Sequence, residues 1–255
     1  MAKNAGTTSL SNEKTDSEYG EAYLNWKGWR SDNFGELTKL QKRYFDAEIR
    51  KSKFGSHKEI RVLEIGFGNG SFLAYARTRG WDIVGIEANN DLVQTAIDHD
   101  FNAICTDSLT TFEDRTFDLI VAFDVLEHIG QEDLLNFLSE VKRIQKNNGV
   151  FIARFPNGDS PFGLMYQNGD VTHITTIGSI KARYFVDVLG VDLIFLGGEA
   201  QPLFSGSLLV TTHRLFALPI RKLANLLVNL VFLPGRNVAF SSPNLVMIFR
   251  SHIPN

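Results

Sequence analysis

A single cysteine, Cys105, stands among 255 residues. It has no partner for an internal disulfide, and its isolation fits a reducing compartment. Residues 1–17 are polar, with Lys3, Asn4, Glu13, Lys14 and Asp16, and they lack aromatic side chains. That composition has no apolar core of a secretory signal, and it favours disorder over packing. No internal repeat or low-complexity tract appears. Net charge is only −3, and no basic stripe outside the tail would track a nucleic acid, so no nucleic-acid partner is expected. Acid is missing from the C-terminal part altogether. All 29 acidic residues lie at or before Glu199, and the residues after it carry five basic side chains, Arg214, Arg221, Lys222, Arg236 and Arg250. Such asymmetry suits an anionic partner or surface, or a mostly buried tail that needs few charges.

What is present is an alternation of strand and helix patterns. Ile60–Ile65, Asp82–Ile86, Phe101–Cys105, Phe117–Phe123 and Val150–Phe155 read as buried strands. Phe117–Phe123 is apolar except for Asp118, the mark of a strand covered on both faces. Between the strands, Ser71–Arg79, Leu92–Asp98 and Glu132–Gln145 carry helical periodicity, the last ending at Lys146-Asn147-Asn148-Gly149. Ser179–Leu189 reads as another helix, and Val191–Leu196 and Leu245–Arg250 as the last strands. The alternation predicts an α/β fold with a parallel, doubly wound sheet. Upstream, residues 18–57 place Tyr19, Tyr23, Trp26, Trp29, Phe34, Tyr44 and Phe45 among charges, as helices that pack on this core would. Residues 58–197 are the expected core, 198–243 an apolar insertion and 244–255 the last strand.

The first strand runs into Glu64-x-Gly66-x-Gly68-x-Gly70. Glycines there let the backbone approach a ligand and aim helix-start N–H groups at it. A dinucleotide site wants Gly-x-Gly-x-x-Gly, and position 71 is Ser, so a pyrophosphate-bridged cofactor does not fit. An acid beside the glycines, Glu64, suits a ligand with a cationic sulfonium and an amino-acid end. Glu87, after the second strand, can accept from both hydroxyls of a ribose. Asp107, after the third, can accept from an adenine amino group. Ala88, Ser108 and Phe123, beside these strand ends, complete the expected cofactor-binding set.

These residues resemble motifs I to III of class I methyltransferases, and Phe117–Ile129 resembles motif IV. The resemblance covers roughly residues 58–197. It implies S-adenosylmethionine as cofactor and a seven-stranded, mostly parallel sheet whose last strand, Leu245–Arg250, is antiparallel. The N-terminal helices would then form a lid, and a helical insertion would precede the last strand.

Asp124, Glu127 and His128 follow the fourth strand at i, i+3 and i+4, so a helical turn starting there would put all three on one face. Two uses are open. His128 can act as general base on an acceptor hydroxyl, or the cluster can bind a divalent ion such as Mg2+ that lowers the hydroxyl's pKa. The metal reading takes Asp124, Glu127, His128 and His173 as ligands, the last from Asp170-Val171-Thr172-His173. The combination of acids and His after strand four with a later Thr-His is similar to that of magnesium-dependent ubiquinone-pathway O-methyltransferases and of small-RNA 3′-end methyltransferases, except that those carry Glu where Asp124 stands. Catalytic candidates are His128, His173 and Asp124.

Residues 156–178 read as a long glycine-rich loop, with Asn157, Asp159, Tyr166 and Asp170 as candidate substrate contacts. Its Pro-Asn-Gly and Gly-Asp-Val-Thr-His segments resemble bacterial methyltransferases associated with surface-polysaccharide assembly. That resemblance implies O-methylation of a sugar or glycan precursor, free or lipid-linked. A phenolic or quinone-precursor acceptor and a non-catalytic scaffold role are the alternatives. Tyr19, Tyr23, Trp26 and Trp29 read equally as a water-excluding lid or as packing anchors. In the insertion, Pro219 suits the first turn of a helix that Pro234-Gly235 stops. That helix is wide on its apolar side and reads as a core helix, a homodimer interface through 213–236, or a helix lying in a membrane surface. The expected location is the cytoplasm, with contact at the inner membrane surface if the last reading holds.

Overall fold

A computed structural model describes residues 20–55, 59–204 and 206–251. The N-terminal segment 1–17 and Tyr19 lie outside the described residues. Seven strands form one sheet: β1 (Arg61–Ile65), β2 (Asp82–Glu87), β3 (Ala103–Cys105), β4 (Phe117–Phe123), β5 (Gln145–Pro156), β6 (Asp192–Gly198) and β7 (Asn244–Arg250). Their order is β3-β2-β1-β4-β5-β7-β6. β7 runs antiparallel to both β5 and β6, and the remaining neighbours are parallel. The doubly wound, seven-stranded sheet with one reversed strand is therefore the fold of this chain.

Eight helices accompany it among the described residues: α1 (Glu21–Lys27), α2 (Lys39–Lys51), α3 (Ser71–Thr78), α4 (Asn90–Asp98), α5 (Leu134–Ile144), α6 (Pro161–Gly169), α7 (Ser179–Leu189) and α8 (Leu208–Val231). Side chains alternate across the central strands because a strand's period is two. Ile120 and Ala122 of β4 pack with Leu138 and Val141 of α5 and Phe185 of α7, while Leu119 and Val121 pack with Phe45 of α2 and Phe72 of α3. Both faces being covered explains the nearly unbroken apolar run of β4. Thr38 begins α2 with a capping box to Gln41, and Asn89 accepts from Leu92 N at the start of α4.

Three expectations change. The segment 156–178 is not all loop, since it holds α6, which starts on a Ser160 cap with Pro161 in its first turn. Gly163 does not mark a loop but close packing, because a Cβ there would run into the Asn157 carbonyl. The insertion helix α8 is 24 residues long with Pro219 in its interior, not at its start. It ends at Val231, ahead of Pro234-Gly235. Finally, α8 is not a core helix, because none of its residues is buried. No helix among the described residues is long and apolar enough to cross a membrane.

Candidate active site

The β1 turn is shaped by glycine. Gly66 and Gly68 have φ of 66° and 51°, in the left-handed region that side chains disfavour. Their neighbours add a steric reason, since a Cβ on Gly66 would lie 2.7 Å from Val125 Cγ2 and one on Gly68 2.9 Å from the Trp29 ring. Trp29 thus closes over the turn, and it can do so only because residue 68 has no side chain.

Beneath it is a cavity of about 800 Å³ at the carboxyl edge of the sheet. Glu64, Gly66, Gly68, Glu87, Ala88, Asp107, Ser108 and Phe123 all line it. Gly70 does not. It caps α3, and its missing side chain makes room for the Phe34 ring. Gly70 therefore shapes the turn and does not face the ligand space.

The two glutamates are held differently. Glu87 Oε2 accepts from Gly68 N at 3.2 Å, and Oε1 from Ala88 N at 2.9 Å and Asn89 N at 3.3 Å. These bonds fix the carboxylate across the glycine turn while burial pushes its pKa up. Glu64 is buried and its Oε2 has no hydrogen-bond partner. Burial, and then the charge of Glu87, hold its carboxyl well above the usual range. A buried acid with an unsatisfied oxygen facing a cavity is suited to a cationic ligand group.

On the opposite side Tyr23, Lys27 and Trp29 come from α1 and the residues after it. Trp26 does not line the cavity and is 58% exposed. Lys27 Nζ lies 2.7 Å from Asp170 Oδ2 and over the rings of Tyr23, Trp26 and Trp29 at 5.3, 5.0 and 5.8 Å. Sequence reasoning gave Lys27 no part. A lysine set among Tyr23, Trp26 and Trp29, with no acid four residues away on its helix, was the available signal.

Asp124 directly follows β4, and its φ is 58°. No helical turn begins there. The short 3₁₀ turn spans Leu126–His128, so Asp124 does not share a face with Glu127 and His128. Its carboxylate instead accepts from Arg154 Nε at 2.9 Å and from Arg154 Nη2. Arg154 also lies over the rings of Tyr44 and Phe123. Asp124 is thus drawn out of the expected ligand set by a bidentate partner on the neighbouring strand.

Glu127, His128 and His173 do come together. One ligand atom from each lies within 4.8 Å of the others. The two imidazole rings stand edge to face with centroids 4.6 Å apart. Backbone bonds impose this. Glu127 O accepts from Ile174 N at 2.9 Å and Thr175 N at 3.0 Å, and Thr175 Oγ1 donates to Ile129 O at 2.6 Å. His128 Nδ1 lies 3.2 Å from Thr172 O. A carbonyl only accepts, so that bond needs Nδ1–H and leaves a lone pair on Nε2. His128 lines the cavity. His173 does not, and stands behind it as the rearward member of the pair.

Glu127 is 1% exposed and neither of its carboxylate oxygens has a hydrogen-bond partner. Burial, and then the charge of Asp124, push its carboxyl well above the usual range. Burial, with His173 adjoining, lowers His128 to about 4, and burial lowers His173 as well. Neutral imidazoles beside an orphaned buried carboxylate fit a divalent ion. With two nitrogens and one carboxylate, the set suits Mn2+ or Zn2+ better than oxygen-seeking Mg2+.

The expected substrate contacts are mostly occupied within the fold. Asn157 is buried, donating to Ala239 O and Ser242 O and accepting from Asp159 N. Asp159 accepts from Ser179 N at the start of α7. Asp170 accepts from Lys27 and Thr172. Tyr166 is 48% exposed. None of the four lines the cavity.

Residues 16–187 match a protein family described as a methyltransferase domain. An uncharacterized protein of Methanocaldococcus jannaschii is 31% identical over 52% of this chain and 59% of its own length. A ubiquinone biosynthesis O-methyltransferase of Rickettsia typhi is 24% identical over 55% of this chain and 59% of its own. The chain thus spans about six-tenths of the length of these curated relatives. Among solved structures, a SAM-dependent methyltransferase from Archaeoglobus fulgidus superposes with a TM-score of 0.60 at 20% identity, covering 95% of this chain and all of that one. A Burkholderia thailandensis N1-methyltransferase with S-adenosylhomocysteine bound superposes with a TM-score of 0.57 at 11% identity, covering 99% and 93%.

Proposed function

Since this chain belongs to the methyltransferase domain family, we propose that it is an S-adenosylmethionine-dependent enzyme that methylates a hydroxyl oxygen of a small aromatic acceptor. The observation that carries this reading is the Glu127–His128–His173 cluster at the reacting edge. An amine acceptor needs no buried acid–imidazole set to become nucleophilic, whereas a hydroxyl does.

When bound, S-adenosylmethionine would supply an electrophilic methyl at this edge, and its transfer to the acceptor oxygen, with cleavage of the carbon–sulfur bond, would give a methyl ether and S-adenosylhomocysteine. Without a metal, the hydroxyl proton would pass to His128 Nε2 and the Glu127 carboxylate would stabilise the imidazolium. A base whose own pKa is lowered to about 4 is weak near neutral pH. A divalent ion held by Glu127, His128 and His173 would instead take up the His128 Nε2 lone pair and lower the pKa of the hydroxyl, whose proton would then leave to solvent. Trp29 and Tyr23 exclude water, and Arg154 fixes Asp124 at the cavity wall.

The aromatic acceptor is supported by Tyr23, Tyr44, Phe45, Phe72 and Phe123 on the cavity wall, and by the quinone-pathway name of several relatives. The glycan reading rested on the 156–178 loop, whose Asn157 and Asp159 have their polar atoms engaged inside the fold. The test is incubation with methyl-labelled cofactor and a panel of catechols, nucleotide sugars and lipid-linked sugars. Label on a phenolic oxygen supports the proposal. Label on sugars alone restores the glycan reading.

A further inference from the structure

α8 is an amphipathic helix turned inside out. Its polar stripe faces the domain. Arg214 donates to Pro202 O and Arg221 to Gln201 Oε1 at 2.8 Å. Asn225 Oδ1 accepts from Ser241 N at 2.7 Å. Asn229 donates to Val238 O at 2.9 Å and accepts from Val238 N at 2.8 Å. The chain's own backbone thus takes up the face that would normally meet water. The outer face carries Leu209 (80% exposed), Phe216 (73%), Ile220 (67%), Leu223 (55%), Leu227 (49%) and Leu230 (70%). These recur at intervals of seven, four, three, four and three, one continuous stripe.

An apolar stripe of this kind needs an apolar phase or a partner. We propose that the outer face of α8 lies in the surface of an anionic lipid bilayer, its apolar side chains among the acyl chains. Charge complementarity selects this occupant. No acidic residue follows Glu199, so no side-chain carboxylate on this segment repels an anionic headgroup, and Lys222 on α8 and Arg236 after it are exposed.

The position fits a membrane-docked enzyme. Residues 238–242 bind α8 through Asn225 and Asn229 and bind α6 through the Ser160 bond to Phe240 O at 2.6 Å. Phe162 of α6, 54% exposed, stands 6.3 Å from the Phe240 ring. α6 leads directly to Asp170 and His173. The inference does not depend on which acceptor is methylated.

The test is co-sedimentation of the full chain with phosphatidylcholine vesicles, with and without phosphatidylglycerol, while S-adenosylhomocysteine binding reports the fold. Wild type should sediment with the anionic vesicles and be released in part by salt. Phe216→Asp and Leu223→Asp should each lower partitioning by about tenfold or more, leaving cofactor binding intact. Should an apolar variant misfold, Lys222→Glu, at an exposed site, should weaken binding to anionic vesicles alone. Wild type that stays in the supernatant overturns the proposal. So does a dimer in light scattering that Leu223→Asp dissolves without any vesicle binding, because it assigns the face to a second copy.

Discussion

Lys27 and Asp170 fasten the aromatic lid to the histidine loop. Lys27 Nζ lies 2.7 Å from Asp170 Oδ2, and the same oxygen lies 3.5 Å from His173 Nε2. One buried carboxylate therefore joins the cover of the cavity to the rear of the acid–imidazole cluster.

This pair predicts an acid-sensitive stability. Burial works against the charge on Asp170, but hydrogen bonds from Lys27 and Thr172 outweigh it and hold the carboxyl well below the usual range. A carboxyl lowered in the folded state stabilises above its unfolded pKa of about 4, and that stability is lost as pH falls through the folded value. Lys27→Met should move the acid-unfolding midpoint upward. It should also cost about 1–3 kcal/mol at neutral pH, less than a fully buried pair because Lys27 is partly solvated. Circular dichroism against pH, with denaturant melts, measures both effects. Unchanged midpoints would show that the pair carries no stability.

Glu64 predicts a proton coupled to the cofactor. Its carboxyl is raised by burial and then by the charge of Glu87, and a cationic cofactor favours the ionised form. Binding should release a proton at pH values below that raised pKa, and affinity should climb with pH towards it. Calorimetry in buffers of different ionisation heat reads the release directly, and Glu64→Gln should abolish it. Equal release from both proteins would move the coupling to another group.

Glu87 and Gly68 predict cofactor affinity. Glu87→Ala removes the carboxylate that spans the turn and should weaken S-adenosylhomocysteine by about 1.5–3 kcal/mol. Gly68→Ala puts a Cβ at φ of 51° and 2.9 Å from Trp29, so it should displace the lid as well as strain the turn. A fluorescence change at Trp29 in the Gly68 variant, absent from Glu87→Ala, separates the two causes.

The sequence showed the sheet because buried parallel strands are continuous apolar runs, as β4 is, and because glycines and acids at strand ends are local signals. It brought His128 and His173 together by topology, since both follow strands at one edge. What it did not show depends on long-range partners. Arg154 interrupts the apolar run of β5, a visible oddity, but only the register of Phe123 with Arg154 reveals that it captures Asp124. α6 was hidden by Gly163 and Gly169, glycines that read as loop while Gly163 serves packing against Asn157. Pro219 suggested a helix start because proline has no N–H to give. In α8 it stands in the helix interior instead, where it cannot donate to the Leu215 carbonyl.

The metal reading predicts a ligand-specific response. Mn2+ or Zn2+ should bind wild type in calorimetry more tightly than Mg2+, and Glu127→Gln and His173→Ala should each weaken that binding. Chelation should stop turnover and leave S-adenosylhomocysteine binding nearly intact. Chelator-insensitive turnover would leave His128 as a metal-free base. Its Ala variant should then lose about 10²–10⁴-fold in rate.

The most direct measurement is product analysis by mass spectrometry after incubation with methyl-labelled cofactor and a catechol, for wild type and Glu127→Gln side by side. Activation of a hydroxyl at the Glu127–His128–His173 cluster predicts a labelled methyl ether from wild type. The variant should give little or none, although it binds S-adenosylhomocysteine as tightly. Label on nitrogen or carbon, or equal ether formation by Glu127→Gln, would contradict it.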